Sequence, residues 1–145
     1  MGFSLMEVVM AMAIIATLLT IALPAYENYS DARDVTQAKL DIIEISGAID
    51  RFFSAQGRFP DSLADISLQN KIDPWGNVYC YLNLTDPAAV GKPRKDGKLH
   101  PVNSDFDLYS MGKDGQSKPP FNNSKSRDDI VRANNGKFIG LAAEY

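Results

Sequence analysis

The hydrophobic pattern of the chain changes twice. From Val8 to Tyr26 no residue is charged. At about 1.5 Å of rise per residue this run forms a helix long enough to cross the roughly 30 Å hydrocarbon core of a bilayer. Apolar residues then recur three and four positions apart, which predicts a helix with one buried face, at Val35, Ala38, Ile42, Ile45, Ile49 and Phe52. Beyond Pro60 the helical period is lost.

The two patterns together predict one helix over about residues 3–55. Gly57 and Pro60 end it, because Gly accepts a left-handed backbone and Pro cannot continue a helix. Pro24 lacks an amide hydrogen and clashes with the preceding turn, which predicts a kink or a loosened segment between Ile15 and Pro24. The alternative is that Pro24 only marks the exit from the membrane.

Beyond the helix the sequence predicts a small antiparallel sheet. Alternating apolar and polar residues indicate strands over 78–82, 106–111 and 137–142. The segment 73–77 is dense in turn residues, and 61–66 is typical of a short helix or turn. The predicted fold class is therefore α+β, with a long N-terminal helix packed on this sheet.

A loop rich in proline and glycine, residues 86–103, separates the first two predicted strands. Its basic residues are Lys92, Arg94, Lys95 and Lys98. Such a cluster is either a solvated loop or a contact with an acidic partner.

Composition narrows the class of function. A length of 145 residues allows one domain and a helical anchor. The net charge of −3 argues against nucleic-acid binding by charge. Cys80 is the only cysteine, so no intrachain disulfide forms, and it is either a small buried side chain or a reactive thiol. The sequence contains no catalytic motif around its single histidine, so we expect that the protein is not an enzyme. A membrane-anchored enzyme or binding domain is the alternative.

Glu7 stands at the edge of the apolar run. A carboxylate in apolar surroundings is costly unless it is paired. The first 32 residues contain no Lys, Arg or His. The available cation is therefore an α-amino group, from the same chain or a neighbouring one. The alternative is a carboxylate placed near the lipid headgroups.

Gly2, Phe3, Glu7 and Pro24 resemble, in type and in spacing, the processing site of the type IV pilin superfamily. The resemblance implies that a prepilin peptidase cleaves between Gly2 and Phe3 and that Phe3 is N-methylated. Residues 1–2 are then a residual leader. It also implies that Glu7 pairs with the Phe3 amine of an adjacent subunit and that the helix near Pro24 is unwound in filaments. A plain signal anchor explains the apolar run but neither Glu7 nor the Gly–Phe junction.

Three further segments, 57–60, 73–77 and 107–115, resemble the major pseudopilin of type II secretion systems. The resemblance implies a structural subunit of a homo-oligomeric helical filament. It also implies a single-pass anchor in the bacterial inner membrane, a periplasmic C-terminal domain, and minor pseudopilins and the secretion assembly platform as partners. The alternative is a subunit of a surface type IV pilus for adhesion, motility or DNA uptake; the lack of a cysteine pair favours secretion.

In that family the C-terminal loops bind calcium through Asp side chains and backbone carbonyls. Asp114, Asp128 and Asp129 are the ligands that the resemblance predicts here, and calcium takes six to eight oxygen ligands in irregular geometry. The alternative is that Asp114 begins a turn and that Asp128 and Asp129 cap a helix or lie in water.

The predicted organisation has four regions. Residues 1–2 are the leader remnant and 3–26 the hydrophobic transmembrane and assembly helix. Residues 27–56 are its amphipathic continuation, and 57–145 form the globular domain of sheet and loops.

Overall fold

The computed structural model describes residue 2 and residues 4–87, 92–97 and 100–145. The chain divides into two compact units, Met1–Arg33 and Asp34–Tyr145.

Helix α1 runs from Leu5 to Gln56. The predicted end is confirmed: Gly57 has a left-handed φ of 70°, and its amide donates to the Phe53 carbonyl at 2.8 Å. The helix assignment continues through Pro24, so no break separates Ile15 from Pro24 here. The unwinding predicted for a filament stays a prediction.

In the first unit the large apolar side chains of α1 are exposed, from 48% at Val8 to 85% at Leu5. None of the most apolar stretch is buried inside the protein. This helix is long and apolar enough to cross a membrane.

In the second unit one face of α1 is completely buried. The predicted positions Ala38, Ile42, Ile45 and Ile49 are confirmed as this face. They share a core with residues of the sheet and the loop after the helix, chiefly Leu63, Tyr79, Phe106, Leu108 and Ile130. The three-four spacing therefore arises because this half of the helix packs on a sheet.

The sheet has four antiparallel strands in chain order: β1 Cys80–Asn83, β2 Phe106–Ser110, β3 Ile130–Ala133 and β4 Phe138–Leu141. The α+β class and three of the strands are confirmed. Strand β3 was not predicted, because it is only four residues long and contains the charged Arg132. Arg132 lies there because both its terminal nitrogens donate to Asp105, at 2.9 and 2.6 Å.

Residues alternate between the two faces of the sheet. Phe106, Leu108 and Ile130 belong to the core shared with α1. Val131, Ala133 and Phe138 belong to a second, smaller core with Val102, Phe121 and Ala142. The C-terminal loops therefore pack on the face of the sheet that α1 leaves uncovered.

Short elements complete the second unit. Leu63–Ile66 is a 3₁₀ helix whose N-cap Ser62 and third residue Asp65 cap each other's backbone, which confirms the predicted short helix. Two further 3₁₀ turns are Ser124–Ser126 and Ala142–Glu144. The predicted turn at 73–77 is confirmed: the Asp73 carboxylate accepts from the amides of Trp75 and Asn77, at 3.0 and 2.8 Å.

Candidate functional site

The N-terminus of α1 begins with a reciprocal cap. The Ser4 amide donates to Glu7 Oε2 at 2.8 Å, and the Glu7 amide donates to Ser4 Oγ at 3.3 Å. The sequence signature of this arrangement, Ser-x-x-Glu, is present, but the prediction for Glu7 considered only charged partners. Gly2 is exposed, whereas Phe3 lies outside the described residues.

Threonine hydroxyls lie one and two turns before Pro24. Thr20 Oγ1 donates to the Thr17 carbonyl at 2.6 Å, and Thr17 Oγ1 donates to the Ala13 carbonyl at 2.9 Å. Pro24 has no amide hydrogen to offer the Thr20 carbonyl. The helix is therefore least supported by backbone bonding immediately before Pro24.

The predicted calcium ligands separate into two groups. Asp114 is exposed and Asp128 is half-buried, and the Asp114 amide donates to Asp128 Oδ2 at 3.0 Å. Asp114 Oδ1 accepts from the Gln116 amide at 2.7 Å, which confirms the turn that begins at Asp114. Two loops distant in sequence therefore bring these two residues together.

Asp129 belongs to a different site. It is completely buried at the start of β3, where Arg94 Nη2 donates to its Oδ2 at 2.5 Å. Ser117 Oγ donates to the same oxygen at 2.6 Å. Asp129 Oδ1 is buried and has no hydrogen-bond partner among the described residues. Burial raises the pKa of Asp129 to about 6, although the Ser117 hydrogen bond and the Arg94 charge both act to lower it.

Of the two alternatives for the basic loop, Arg94 follows the contact with an acidic partner, whereas Lys92 is exposed. The Arg94 side chain is 2% exposed, and its guanidinium lies 4.2 Å from the ring centroid of Tyr109 and 5.2 Å from that of Phe121. The acidic partner of Arg94 is thus Asp129 of the same chain. Lys98, of the same predicted cluster, lies outside the described residues.

The residues fit calcium only in part. Among residues 2, 4–87, 92–97 and 100–145, no three acidic, histidine or cysteine side chains come close enough together to hold a metal ion. Asp114 and Asp128 lie on adjacent loops and carry carboxylate oxygens, the type of ligand that calcium takes. Asp129 fits poorly, because the Arg94 guanidinium and the Ser117 hydroxyl already bond its Oδ2, which leaves only the buried Oδ1 beside a positive charge.

Gly112 fixes the distance between the two loops. It has a φ of 64°, and a Cβ atom added there would lie 2.3 Å from the backbone oxygen of Asp128. The side-chain nitrogen Nδ2 of Asn77 also donates to the Gly112 carbonyl at 3.1 Å. Only glycine therefore allows the loop after β2 to approach the backbone of Asp128 so closely.

A second buried polar group fastens α1 to the sheet. Asp41 accepts from the Tyr79 hydroxyl and from Lys71 Nζ, and Lys71 also bonds Glu44 on the helix. Of these two carboxylates on α1, only Glu44 is exposed. No local pattern distinguishes the two, because the partners of Asp41 come from distant segments.

Three known proteins are similar to most of the chain. Type II secretion system core protein G of Pseudomonas aeruginosa is 27% identical over 136 residues, covering 79% of this chain and 84% of that protein. The proteins of the same name from Aeromonas hydrophila and Xanthomonas campestris pv. campestris are 26% and 28% identical, over 80% and 79% of this chain and 85% and 80% of their own lengths. No protein-family model and no solved structure matches. The matches confirm the resemblance to the type IV pilin superfamily and, within it, to the major pseudopilin of type II secretion.

Proposed function

We propose that this chain is a structural subunit of the pseudopilus of a type II secretion system and that it polymerises through α1. The observation that carries the proposal is an uncovered apolar helix, Leu5 to Leu23, in the same chain as a well-packed sheet domain. The names of the three relatives support the assignment to type II secretion. The chain is then a structural component and not an enzyme.

Apolar surface on α1 continues into the second unit. Leu40 and Ile43 are each 54% exposed, although neighbouring Ile42 is completely buried against the sheet. Such side chains are suited to packing against helices of other copies. Head-to-tail association of identical subunits produces an open helical filament when the subunits do not close into a ring.

Before assembly, the first half of α1 anchors the subunit in the inner membrane as a single span, with the C-terminal domain in the periplasm. Its length and apolar composition support this topology. Minor pseudopilins and the secretion assembly platform are the proposed partners.

Processing belongs to the same proposal. A prepilin peptidase cleaves between Gly2 and Phe3, and the new Phe3 amine is methylated. Mass spectrometry of the subunit purified from its host tests this: the mature N-terminus should be an N-methylated phenylalanine. An unprocessed Met1 or Gly2 terminus would contradict the assignment.

Pro24 has a proposed role in the filament. The missing amide hydrogen and the threonine bonds before it leave this turn easiest to unwind. Cryo-electron microscopy of filaments should show extended backbone between Ile15 and Pro24, whereas Pro24→Ala filaments should show continuous helix. Continuous helix in the wild-type filament would contradict this role.

We also propose that the C-terminal loops bind a calcium ion. Asp114 and Asp128 support it by their proximity, and Asp114 is also exposed. Bound there, calcium would link the loop after β2 to the loop before β3, which no disulfide can do in a chain with one cysteine.

Gene deletion in the native host tests the main proposal. Loss of the gene should stop export of type II secretion substrates, and a plasmid copy should restore it. Surface piliation, measured in parallel, should not change. Normal secretion with lost surface pili would assign the chain to a surface pilus instead.

A further inference from the structure

On the face of the sheet that α1 leaves uncovered, several loops bond the side chain and backbone of Arg94. Arg94 Nη2 donates to Asp129 Oδ2, and Arg94 Nη1 donates to Ser117 Oγ, both at 2.5 Å. The backbone of Arg94 is held as well: its amide donates to Asp107 Oδ2 at 2.7 Å, and its carbonyl accepts from Val102 at 2.9 Å.

The surroundings of this cation exclude water. Arg94 and Asp129 are 2% and 0% exposed, and the guanidinium lies over the rings of Tyr109 and Phe121. A buried carboxylate is strongly unfavourable when its cation is removed, because the negative charge is then left uncompensated. The pair therefore joins the loop before β2, the loop after β2 and the start of β3 only while both members are present.

We infer that the Arg94 guanidinium neutralises the buried Asp129 carboxylate in place of a metal ion. The proposed calcium site therefore does not include Asp129. A divalent ion at Asp129 would face the positive guanidinium bonded to the same carboxylate, in a region of low dielectric constant where repulsion is strong. The exclusion of Asp129 rests on the calcium site proposed above, whereas the contact between Arg94 and Asp129 does not depend on that site or on the secretory role.

A double-mutant cycle without calcium tests the crosslink. The full-length protein in detergent micelles is melted in excess chelator, as wild type, Arg94→Met, Asp129→Asn and the double variant. We expect each single change to lower Tm by several degrees and the double variant to lose no more than the worse single change. If the loss of Tm in the double variant equals the sum of the two single losses, the inference is overturned.

A calcium arm tests the assignment of ligands. The change in Tm between chelator and millimolar calcium should be the same, within a degree, for wild type and Asp129→Asn. Asp105→Asn is the matched control, because it weakens a comparable pair, Arg132 and Asp105, that shares no residue with Arg94 and Asp129. A calcium-induced rise in Tm that Asp129→Asn abolishes, but Asp105→Asn keeps, would overturn the inference. If Arg94→Met does not fold, Asp129→Asn decides by this arm alone.

Discussion

The Tyr79 hydroxyl donates a hydrogen bond of 2.8 Å to Oδ2 of Asp41, thirty-eight positions earlier in the chain. Asp41 lies on α1 and is 8% exposed, and Tyr79 lies just before β1 and is 4% exposed. Burial, followed by the Asp41 interaction, raises the pKa of Tyr79 well above its usual value, so the hydroxyl stays protonated. The Tyr79 proton is therefore still available for this bond well above neutral pH.

Tyr79→Phe should lower the free energy of unfolding by about 1.5–3 kcal/mol, the usual range for a hydrogen bond to a charged group. Tyr81→Phe is the matched control, since the Tyr81 hydroxyl donates to the neutral Pro60 carbonyl and should contribute about 1 kcal/mol. Urea unfolding of both variants measures the difference. Equal losses of unfolding free energy would show that the hydrogen bond to Asp41 stabilises the fold no more than the bond to the Pro60 carbonyl.

Gly112→Ala should destabilise the domain by roughly 2–4 kcal/mol, because the new Cβ meets the Asp128 backbone and the backbone must also keep a left-handed conformation. Gly57→Ala is the control: its φ is also positive, but nothing lies within 4 Å of the added atom. It should cost about 1–2 kcal/mol. Thermal melting compares them, and a Gly112→Ala protein as stable as Gly57→Ala would refute the close approach.

Cys80 should be a slow nucleophile in the folded protein. Burial raises the pKa of its thiol, outweighing the hydrogen bond to Tyr109, and the thiolate is the reactive form. Alkylation by iodoacetamide at neutral pH should be at least about tenfold slower in the native protein than in urea. Mass spectrometry follows the reaction. Equal rates in the two states would identify Cys80 as an accessible, reactive thiol.

Glu7 has two separable roles. Glu7→Ala should insert into the membrane but form few or no filaments. Glu7→Gln should do the same, because it removes the charge that the Phe3 amine of a neighbour would bind while keeping an oxygen that can accept the Ser4 amide. Ser4→Ala removes the hydroxyl side of the cap and should assemble normally. The amount of filament isolated from the cell envelope distinguishes the charge from the cap, and a normal amount from Glu7→Gln would show that the charge is not needed for assembly.

Calcium should raise the Tm of the wild-type protein by several degrees. An ion at a hundredfold excess over its Kd stabilises a fold by about 2.7 kcal/mol. Asp114→Asn and Asp128→Asn should each abolish the rise, and magnesium should reproduce little of it because it keeps its waters and prefers octahedral geometry. Differential scanning calorimetry in chelator and in millimolar calcium is the measurement. Identical curves for the wild type would remove the metal site.

Local patterns predicted the parts of the fold that local physics determines. The period of α1, its end at Gly57 and the turn at Asp73 all follow from neighbouring residues. Strand β3 was missed because its charged Arg132 is neutralised by Asp105, a contact that the sequence does not show.

The candidate site followed the same division. Asp114 and Asp128 were predicted by resemblance and do come together, and the turn at Asp114 is a local feature. The burial of Arg94 was not predicted, because a basic residue in a loop of prolines and lysines is ordinarily exposed to solvent. Its burial depends on Tyr109, Phe121 and Asp129, which lie 15, 27 and 35 positions away and have no periodic relation to it.

A guanidinium carried by the chain differs from a bound ion in one further respect. The stabilisation that a free ion gives depends on its concentration, since its contribution follows RT ln(1 + [L]/Kd). Arg94 is covalently part of the chain, so each molecule contains one such guanidinium whatever the composition of the solution. The contact with Asp129 is therefore insensitive to the mineral content of the medium, and neither dilution nor chelation can remove this part of the fold.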